Sequence, residues 1–264
     1  MSALLPTRMV ERPWGRTSLP APFVAPPGER IGEVWFEPPA ALEQLLVKYI
    51  FTSQALSVQV HPSDAQVPAG ERGKEECWLV IAAEPDAKLG IGFDSALSAE
   101  GMRAAALDGS IEHLLTWHAA KPGDFFYIPA GTVHAIGAGI GLIEVQQNSD
   151  ITYRLYDYGR PRELHLETGM AVARGEPYPA ELHQQVSENG AVTLVEGPHF
   201  RLDRLDSAPD PATAARYHGP LLVIPLDGQA EVGDKLIEAG QCALAVSLAE
   251  VTISGRCLIA QPCL

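Results

Sequence analysis

The sequence predicts a mainly β protein, built as an antiparallel sandwich or jelly roll. Short apolar and β-branched segments recur at close spacing from residue 32 to residue 254, which is typical of antiparallel strands. The 22 prolines and 24 glycines are spread along the 264 residues and suit many turns better than a helical bundle. With 46% apolar and 20% charged residues, the chain can bury the core of one large or two smaller domains.

The first 160 residues carry the clearest strand patterns. Residues 1–40 are rich in proline and are predicted to be irregular except for a short strand at 32–36. Residues 62–73, rich in proline, glycine and charge, are predicted to be a loop. Further strands are predicted at 45–51, 57–61, 76–82, 88–93, 124–128, 133–136, 140–146 and 151–156.

Helices are predicted in a single insertion. Ser98 is a suitable N-cap for a helix that runs to about Leu107, and a second short helix is predicted at 111–115. After about residue 175 the pattern returns to short strands. These are predicted at 191–196, 200–205, 221–225, 229–232, 243–246 and 250–254.

A short internal sequence similarity, the sequence echo, indicates two related β-modules. Gly123, in a Lys-Pro-Gly-Asp turn, is followed eleven residues later by His134. Gly240, in a Glu-Ala-Gly-Gln turn, is followed at the same distance by Val251. Two unrelated β-hairpins can share such a pattern, so chance similarity remains an alternative.

The charge balance and the absence of targeting signals predict a cytoplasmic protein. The net charge of −14, from 19 basic and 33 acidic residues, argues against nucleic acid and anionic membranes as partners. We see no secretory signal and no segment near the roughly 20 apolar residues of a membrane helix. The four cysteines show no CxxC spacing and are expected to be reduced thiols.

One apolar segment, Leu-Ser-Val-Gln-Val-His-Pro at 56–62, carries polar side chains that a buried strand does not explain. Residues i and i+2 of a strand share a face, so Gln59 and His61 point the same way while the neighbouring valines point the other. Two later segments supply further donors, namely Glu76 in Gly-Lys-Glu-Glu-Cys-Trp and His134 after a Pro-Ala-Gly turn. We expect Glu76 and not Glu75, because Glu76 directly joins the apolar run.

Together these segments predict a mononuclear metal site. Two imidazoles and two oxygen donors suit Zn²⁺ in a tetrahedral or five-coordinate site with an open position, and they also suit Mn²⁺, Co²⁺ or Fe²⁺. A single histidine in an apolar strand is more often a hydrogen-bonded core residue than a ligand. The combination of three such segments in one β-rich region favours the metal site.

The segments resemble type I mannose-6-phosphate isomerase, a family of cupin-fold zinc enzymes, in its short bacterial form. The resemblance covers residues 30–160 in order and rests on GEVW at 32–35, LVK at 46–48, LSVQVHP at 56–62, GKEECW at 73–78, GDFFYIPAGTVHAI at 123–136, and IE with QNSDITYRLYDY at 143–158. It implies cupin jelly-roll β-barrels in two modules. The expected domains are a catalytic cupin domain over 1–170, with the helical insertion around 98–115, and a degenerate cupin-like β domain over 171–264.

The resemblance also implies residue roles. The family's zinc ligands, one ion per chain, fall on these positions: Gln59, His61, Glu76 and His134. Its active-site arginine falls on Arg154. Lys74 and Glu144 match pocket positions, and Arg160 lies where some family members place a phosphate-binding lysine. The chain departs from the family pattern at Glu75, at Ser63 and at residues 36–39, and none of these changes removes a ligand.

The expected activity is the interconversion of mannose 6-phosphate and fructose 6-phosphate through an enediol(ate). Arg154 stays protonated at working pH and so suits stabilisation of the enediolate, whereas Lys74 and Glu144 are both candidates for the base. Two alternatives stay open: another cupin metalloenzyme such as a dioxygenase, and a non-catalytic sugar-phosphate sensor. The expected partner is a small sugar phosphate, with the chain a monomer or homodimer.

Overall fold

The computed structural model describes residues 1–263 and confirms a mainly β fold. Within these residues the strands form four antiparallel sheets. The seven-stranded sheet has the spatial order His183–Gln185, Asp124–Ile128, Glu76–Ala83, Ile140–Gln147, Leu45–Phe51, Ile31–Phe36 and Thr7–Arg16. The five-stranded sheet has the order Tyr153–Tyr156, Val58–Val60, His134–Ile136, Lys88–Phe93 and Leu115–Ala119.

The other two sheets come from the C-terminal part of the chain, with one short N-terminal strand. The six-stranded sheet has the order Ala3–Leu4, Ala243–Ala245, Leu221–Pro225, Cys257–Pro262, Phe200–Leu205 and Val192–Glu196. The three-stranded sheet has the order Lys235–Glu238, Gln229–Val232 and Val251–Ser254. The α-helices are Ala99–Asp108, Ile111–Leu114, Leu166–Val172 and Pro211–Ala214. Among the described residues, no helix is long and apolar enough to cross a membrane.

The seven-stranded sheet lies at the centre of the molecule because other layers cover both of its faces. Val47 and Val145 on one face share an apolar core with Leu222 and Leu258 of the six-stranded sheet. The opposite face packs against the five-stranded sheet, where Trp78 and its neighbours contact that sheet's apolar side chains. Side chains alternate along each strand, so every second residue of the central sheet points toward the five-stranded sheet.

The outer layers complete two sandwiches that are joined by the core between the central and six-stranded sheets. The first two helices pack on the far face of the five-stranded sheet, with Met102 buried against Val60 and Ala135. The three-stranded sheet covers the six-stranded sheet, with Val232 in the same core as Ile259. The N-cap predicted at Ser98 is present, because its side chain accepts a hydrogen bond from the Gly101 amide at 3.0 Å.

Two strands cross the division expected at residue 170. Ala3–Leu4 pairs with Ala243–Ala245, and His183–Gln185 extends the seven-stranded sheet next to Asp124–Ile128. The large core between the central and six-stranded sheets also contains residues from both sides of the division. The boundary itself stays a prediction.

The two turns of the sequence echo have the same local geometry. Gly123 has φ 88° and Gly240 has φ 85°, a left-handed conformation that glycine adopts without strain. The Asp124 carboxylate accepts a hydrogen bond from the Lys121 amide at 2.8 Å, and the Gln241 side-chain oxygen accepts the equivalent bond from the Glu238 amide at 2.9 Å. This shared turn supports the interpretation as two related β-modules.

The predicted strands lie within two residues of observed ones, but two expectations are wrong. Residues 1–40 are not irregular outside 32–36, because Thr7–Arg16 forms a ten-residue edge strand. Its charged residues and Pro13 hide the alternation, and its register shifts between Glu11 and Arg16. Helices are not confined to the 98–115 insertion. Five further strands were not predicted: Ala3–Leu4, Leu115–Ala119, His183–Gln185, Lys235–Glu238 and the buried Cys257–Pro262.

The packing of the six-stranded sheet against the central sheet predicts a large effect for Leu222→Ala. Leu222 is buried in that shared core, so the variant should lower the free energy of unfolding by about 2–5 kcal/mol in a urea titration. The matched control is Leu236→Ala, at an exposed position, which should cost less than about 0.5 kcal/mol. Equal losses in the two variants would contradict this packing.

Candidate metal centre

Three buried side chains converge between the central and five-stranded sheets. The ligand atoms of His61, Glu76 and His134 all lie within 4.8 Å of one another. His61 Nε2 lies 3.6 Å from Glu76 Oε2, and His134 Nε2 lies 3.5 Å from Glu76 Oε1. The structure therefore brings together one donor from each of the three segments singled out in the sequence.

The strand register explains this convergence. His134 opens the strand His134–Ile136 and is the register partner of Gln59, while His61 directly follows Val58–Val60. Glu76 begins Glu76–Ala83 of the central sheet, opposite Gln146. Ligands thus come from both sheets, and the distance between the sheets sets the distance between the donors.

Hydrogen bonds fix the orientation of both imidazoles. His61 Nδ1 donates to the Ile151 carbonyl at 2.8 Å, and His134 Nδ1 donates to the Thr132 carbonyl at 2.9 Å. A carbonyl only accepts, so the proton is on Nδ1 and the lone pair of each Nε2 points toward Glu76. Burial lowers the pKa of both histidines, well below the usual range for His61, and both rings are therefore neutral at pH 7.

Gln59 lies beside these donors and is only partly buried. Its Nε2 is 3.4 Å from His134 Nε2, and its Oε1 accepts a hydrogen bond from Ser57 Oγ at 3.1 Å. With this orientation the amide nitrogen faces the cluster. A role for Oε1 as a ligand requires the amide to be turned.

The donor set fits a divalent metal ion. Both carboxylate oxygens of Glu76 are buried; Oε2 is paired with Lys74 Nζ at 2.6 Å, whereas Oε1 has no hydrogen-bond partner. Buried carboxylate oxygens need a partner. Two imidazole nitrogens and a carboxylate are typical zinc ligands and leave a further coordination position for water or substrate.

A buried charge network surrounds the donors. Lys74 Nζ lies 3.1 Å from His61 Nε2 and 3.9 Å from Glu144 Oε1. Burial opposes the charge of Lys74, but the fields of Glu144 and Glu76 outweigh burial and raise the pKa of the ammonium. Glu144 also contacts Lys48 Nζ at 3.2 Å and accepts a hydrogen bond from Trp78 Nε1 at 3.0 Å.

A cavity of about 520 Å³ adjoins the cluster and is lined by Gln59, Glu144 and a set of basic side chains. The basic residues of its wall are Arg12, Lys48, Lys74, Arg154 and Arg162. The wall also contains Glu11, Glu33, Glu144 and Asp150, so the five basic residues leave it a formal charge of +1 in a chain of net charge −14. The cavity therefore suits a small anionic ligand better than the rest of the surface does.

Arg154 is next to Gln59 in the five-stranded sheet. Its Nε donates to the Glu163 carbonyl at 3.0 Å, and the side chain lines the cavity. Burial first, and the positive field of Arg162 second, lower the pKa of Arg154. Such a group of guanidinium ions is stabilised by an anion between them.

Arg160 does not line the cavity, contrary to the expectation of a phosphate-binding position. Its guanidinium contacts Asp157 at 2.8 Å and donates to the Ala55 carbonyl at 2.8 Å, so it is held elsewhere. Arg162 shares the same Asp157 carboxylate at 2.6 Å but does line the cavity.

Sequence reasoning missed Arg162, Arg12 and Lys48 as cavity residues. Lys48 carries a detectable signal, because a lysine at the centre of an apolar strand needs a buried partner. Arg12 lies on the strand that was predicted to be irregular, so no pattern placed it on a face of the sheet.

Comparison with known proteins decides the family. GmuF of Bacillus subtilis, named a probable mannose-6-phosphate isomerase, is 32% identical over 255 residues, which cover 87% of this chain and 80% of GmuF. The chain belongs to the mannose-6-phosphate isomerase family. The mannose-6-phosphate isomerase ManA of B. subtilis is 42% identical over 172 residues. That match covers 61% of this chain and 54% of ManA, so the chain spans about half the length of this relative.

Solved structures of the mannose-6-phosphate isomerase family share the fold. The crystal structure of the B. subtilis mannose 6-phosphate isomerase has a TM-score of 0.79 at 27% identity and is covered, like this chain, over 99% of its length. A zinc-bound mannose 6-phosphate isomerase has a TM-score of 0.72 at 16% identity, with 100% of both chains covered. No protein-family model matches the sequence.

The low pKa of His61 predicts a loss of stability in acid for the metal-free protein. The unfolded state takes up a proton at His61 as the pH falls below about 6.5, whereas the folded state does not. The free energy of unfolding in chelator should therefore fall with decreasing pH, at a slope for this group that approaches about 1.4 kcal/mol per pH unit below pH 6.5. Urea titrations between pH 7 and pH 5 should show a shallower decline in His61→Gln.

The matched control is His113→Gln at an exposed helix position, which should keep the wild-type slope. An unchanged slope in His61→Gln would show that the buried imidazole is not held neutral.

Proposed function

We propose that this chain is a zinc-dependent aldose–ketose isomerase that interconverts mannose 6-phosphate and fructose 6-phosphate. The observation that carries the proposal is the buried His61, Glu76 and His134 donor set beside a cavity lined by basic side chains. Membership of the mannose-6-phosphate isomerase family supports the choice of reaction, and the zinc-bound structure with the same fold supports the choice of metal.

In this proposal His61, Glu76 and His134 hold the metal. Gln59 is the fourth ligand or holds a water or substrate hydroxyl beside the ion. A bound zinc ion supplies a Lewis acid that polarises the carbonyl and hydroxyl oxygens of the open-chain sugar. The buried position of the donors excludes bulk water from that side of the site.

The residues around the donors divide the proton transfers between them. A proton leaves C2 of the aldose, a proton is added at C1, and the carbonyl moves from C1 to C2. Lys74 is protonated, because its pKa is raised, and so it can give a proton to the carbonyl oxygen on C1 and regain one from the hydroxyl on C2. Glu144 is the carboxylate of the cavity wall that we assign as the base, and Arg154 stabilises the enediolate charge.

The phosphate group is assigned to the arginine end of the cavity. Arg154, Arg162 and Arg12 line the same wall, and burial together with the positive field of Arg162 and, more weakly, of Arg12 lowers the pKa of Arg154. A phosphate there accepts charge-assisted hydrogen bonds from their guanidinium groups. In this proposal Arg162 takes the phosphate-binding role that the resemblance implied for Arg160.

A coupled assay tests the proposal. Zinc-loaded protein should convert mannose 6-phosphate to fructose 6-phosphate without oxygen and should exchange solvent deuterium into the sugar at C1 or C2. Chelator should abolish both, and zinc should restore them. A zinc-loaded protein that binds the sugar phosphate without deuterium exchange would refute the isomerase and favour a sensor, and a requirement for oxygen would favour another metalloenzyme.

Arg154→Ala should remove turnover while the metal stays bound. Loss of one electrostatic contact to the enediolate costs about 2.7–4 kcal/mol, which is about a hundredfold or more in kcat. Zinc content should stay near one per chain, because Arg154 is not a donor. The matched control is Arg103→Ala, an exposed side chain on the helix Ala99–Asp108, which should keep wild-type kcat. Near-wild-type turnover of Arg154→Ala would remove Arg154 from the mechanism.

The two arginines that share Asp157 should differ in their effect on substrate affinity. Arg162→Ala should raise KM for mannose 6-phosphate roughly tenfold to a hundredfold, since a hydrogen bond to a charged group contributes about 1.5–3 kcal/mol. Arg160→Ala is the matched control, because this variant also loses a contact with Asp157 but leaves the wall of the cavity unchanged. Steady-state kinetics measure both KM values. A larger rise in KM for Arg160→Ala than for Arg162→Ala would show that Arg160 binds the phosphate, as the resemblance implied.

A further inference from the structure

The loop at residues 61–75 ends in a segment whose side chains alternate between two environments. Lys74 and Glu76 point toward His61, in the interior between the central and five-stranded sheets. Glu75 lies between them in sequence and points the other way, as alternation in an extended segment requires. Its contacts are with a different part of the molecule.

Glu75 is held by groups on two layers. Its Oε1 accepts a hydrogen bond from the Tyr127 hydroxyl at 2.7 Å, and its Oε2 lies 2.9 Å from His199 Nε2. The backbone of Glu75 is fixed as well, because its amide donates to Gln147 Oε1 at 2.9 Å and its carbonyl accepts from the Gln147 amide at 3.0 Å. Of these contact residues, only His199 comes from the C-terminal part of the chain, where it directly precedes the strand Phe200–Leu205.

His199 also contacts the beginning of the same loop. Its Nδ1 lies 3.4 Å from Asp64 Oδ2. The other oxygen of Asp64 accepts hydrogen bonds from the Gly73 amide at 2.7 Å and from Gln147 Nε2 at 2.9 Å. One imidazole therefore touches both ends of the loop.

The position of His199 is itself fixed by the six-stranded sheet. Its carbonyl accepts a hydrogen bond from the Cys263 amide at 2.9 Å. The next residue, Phe200, is fully buried and packs against the Tyr127 ring with centroids 6.3 Å apart. The imidazole is thus presented from a rigid strand end, not from a free loop.

We propose that His199 is a positioning residue through which the C-terminal β-module holds the metal-binding loop. By contacting Glu75 and Asp64, His199 keeps Lys74 and Glu76 at the distance from His61 that metal binding needs. This inference rests on the proposed function for the role of the metal, but its consequence is a change in zinc affinity that is measured without any substrate.

Zinc affinity measured by chelator competition tests the inference. His199→Ala should weaken zinc binding by about tenfold, the lower end for residues that support metal ligands. His199→Gln, whose amide can still donate to Glu75, should recover part of the loss. The matched control is His218→Ala, an exposed histidine of the same module that lies outside the network, which should bind zinc as wild type does.

A double-mutant cycle separates positioning from a general loss of stability. If His199 acts through Glu75 and Asp64, His199→Ala should have little further effect on zinc affinity in a Glu75→Gln, Asp64→Asn background. Amide hydrogen exchange in chelator should also rise within residues 61–75 in His199→Ala and not in the strands. Unchanged zinc affinity in His199→Ala, or fully additive losses in the combined variant, would overturn the inference.

These outcomes are separate from the fate of the proposed function. If zinc-loaded wild type does not isomerise mannose 6-phosphate but His199→Ala binds zinc more weakly, the isomerase is refuted and the positioning role stands. If wild type isomerises and zinc affinity is the same in both proteins, the positioning role alone fails.

Discussion

The seven-stranded sheet must bury both of its faces, and the rest of the molecule depends on how it does so. Strand alternation puts Val47 on one face and Lys48 on the other, and it separates Val145 from Glu144 in the same way. The apolar face is covered by the six-stranded sheet. The opposite face carries charges into a protein interior, where an unpaired charge costs several kcal/mol.

Compensation of these charges determines the architecture of the site. Lys48 and Trp78 satisfy Glu144, and Lys74 lies between Glu144 and Glu76. The five-stranded sheet then brings two neutral imidazoles to the same carboxylate, each oriented by a backbone carbonyl. A divalent metal fits there because His134 and Glu76 each begin a strand and His61 directly follows one, which preorganises the donors.

The C-terminal part of the chain contributes to the site in two ways. The six-stranded sheet covers the apolar face of the central sheet and so keeps the charged face turned toward the site. His199 contacts Glu75, the residue next to Glu76. These residues therefore support the site from outside the metal-binding segments.

The sequence was sufficient to predict the mainly β fold and the segments that meet at the metal centre, because strand parity is a local property. Gln59 and His61 share a face for that reason, and Glu76 differs from Glu75 in the same way. Arg162 and His199 were not predicted, because their places depend on tertiary packing: Arg160 and Arg162 both reach Asp157, and only the fold decides which one lines the cavity. The strand Thr7–Arg16 was not predicted, because an edge strand with many charged residues lacks the alternation of apolar and polar residues that indicates a strand.

The position of the metal can be measured directly by anomalous diffraction at the zinc edge from crystals of the zinc-loaded protein. We expect one strong anomalous peak per chain, in contact with His61 Nε2, His134 Nε2 and the Glu76 carboxylate. A peak bound to other side chains, or no peak between the central and five-stranded sheets, would contradict the assignment of this buried cluster as the metal centre.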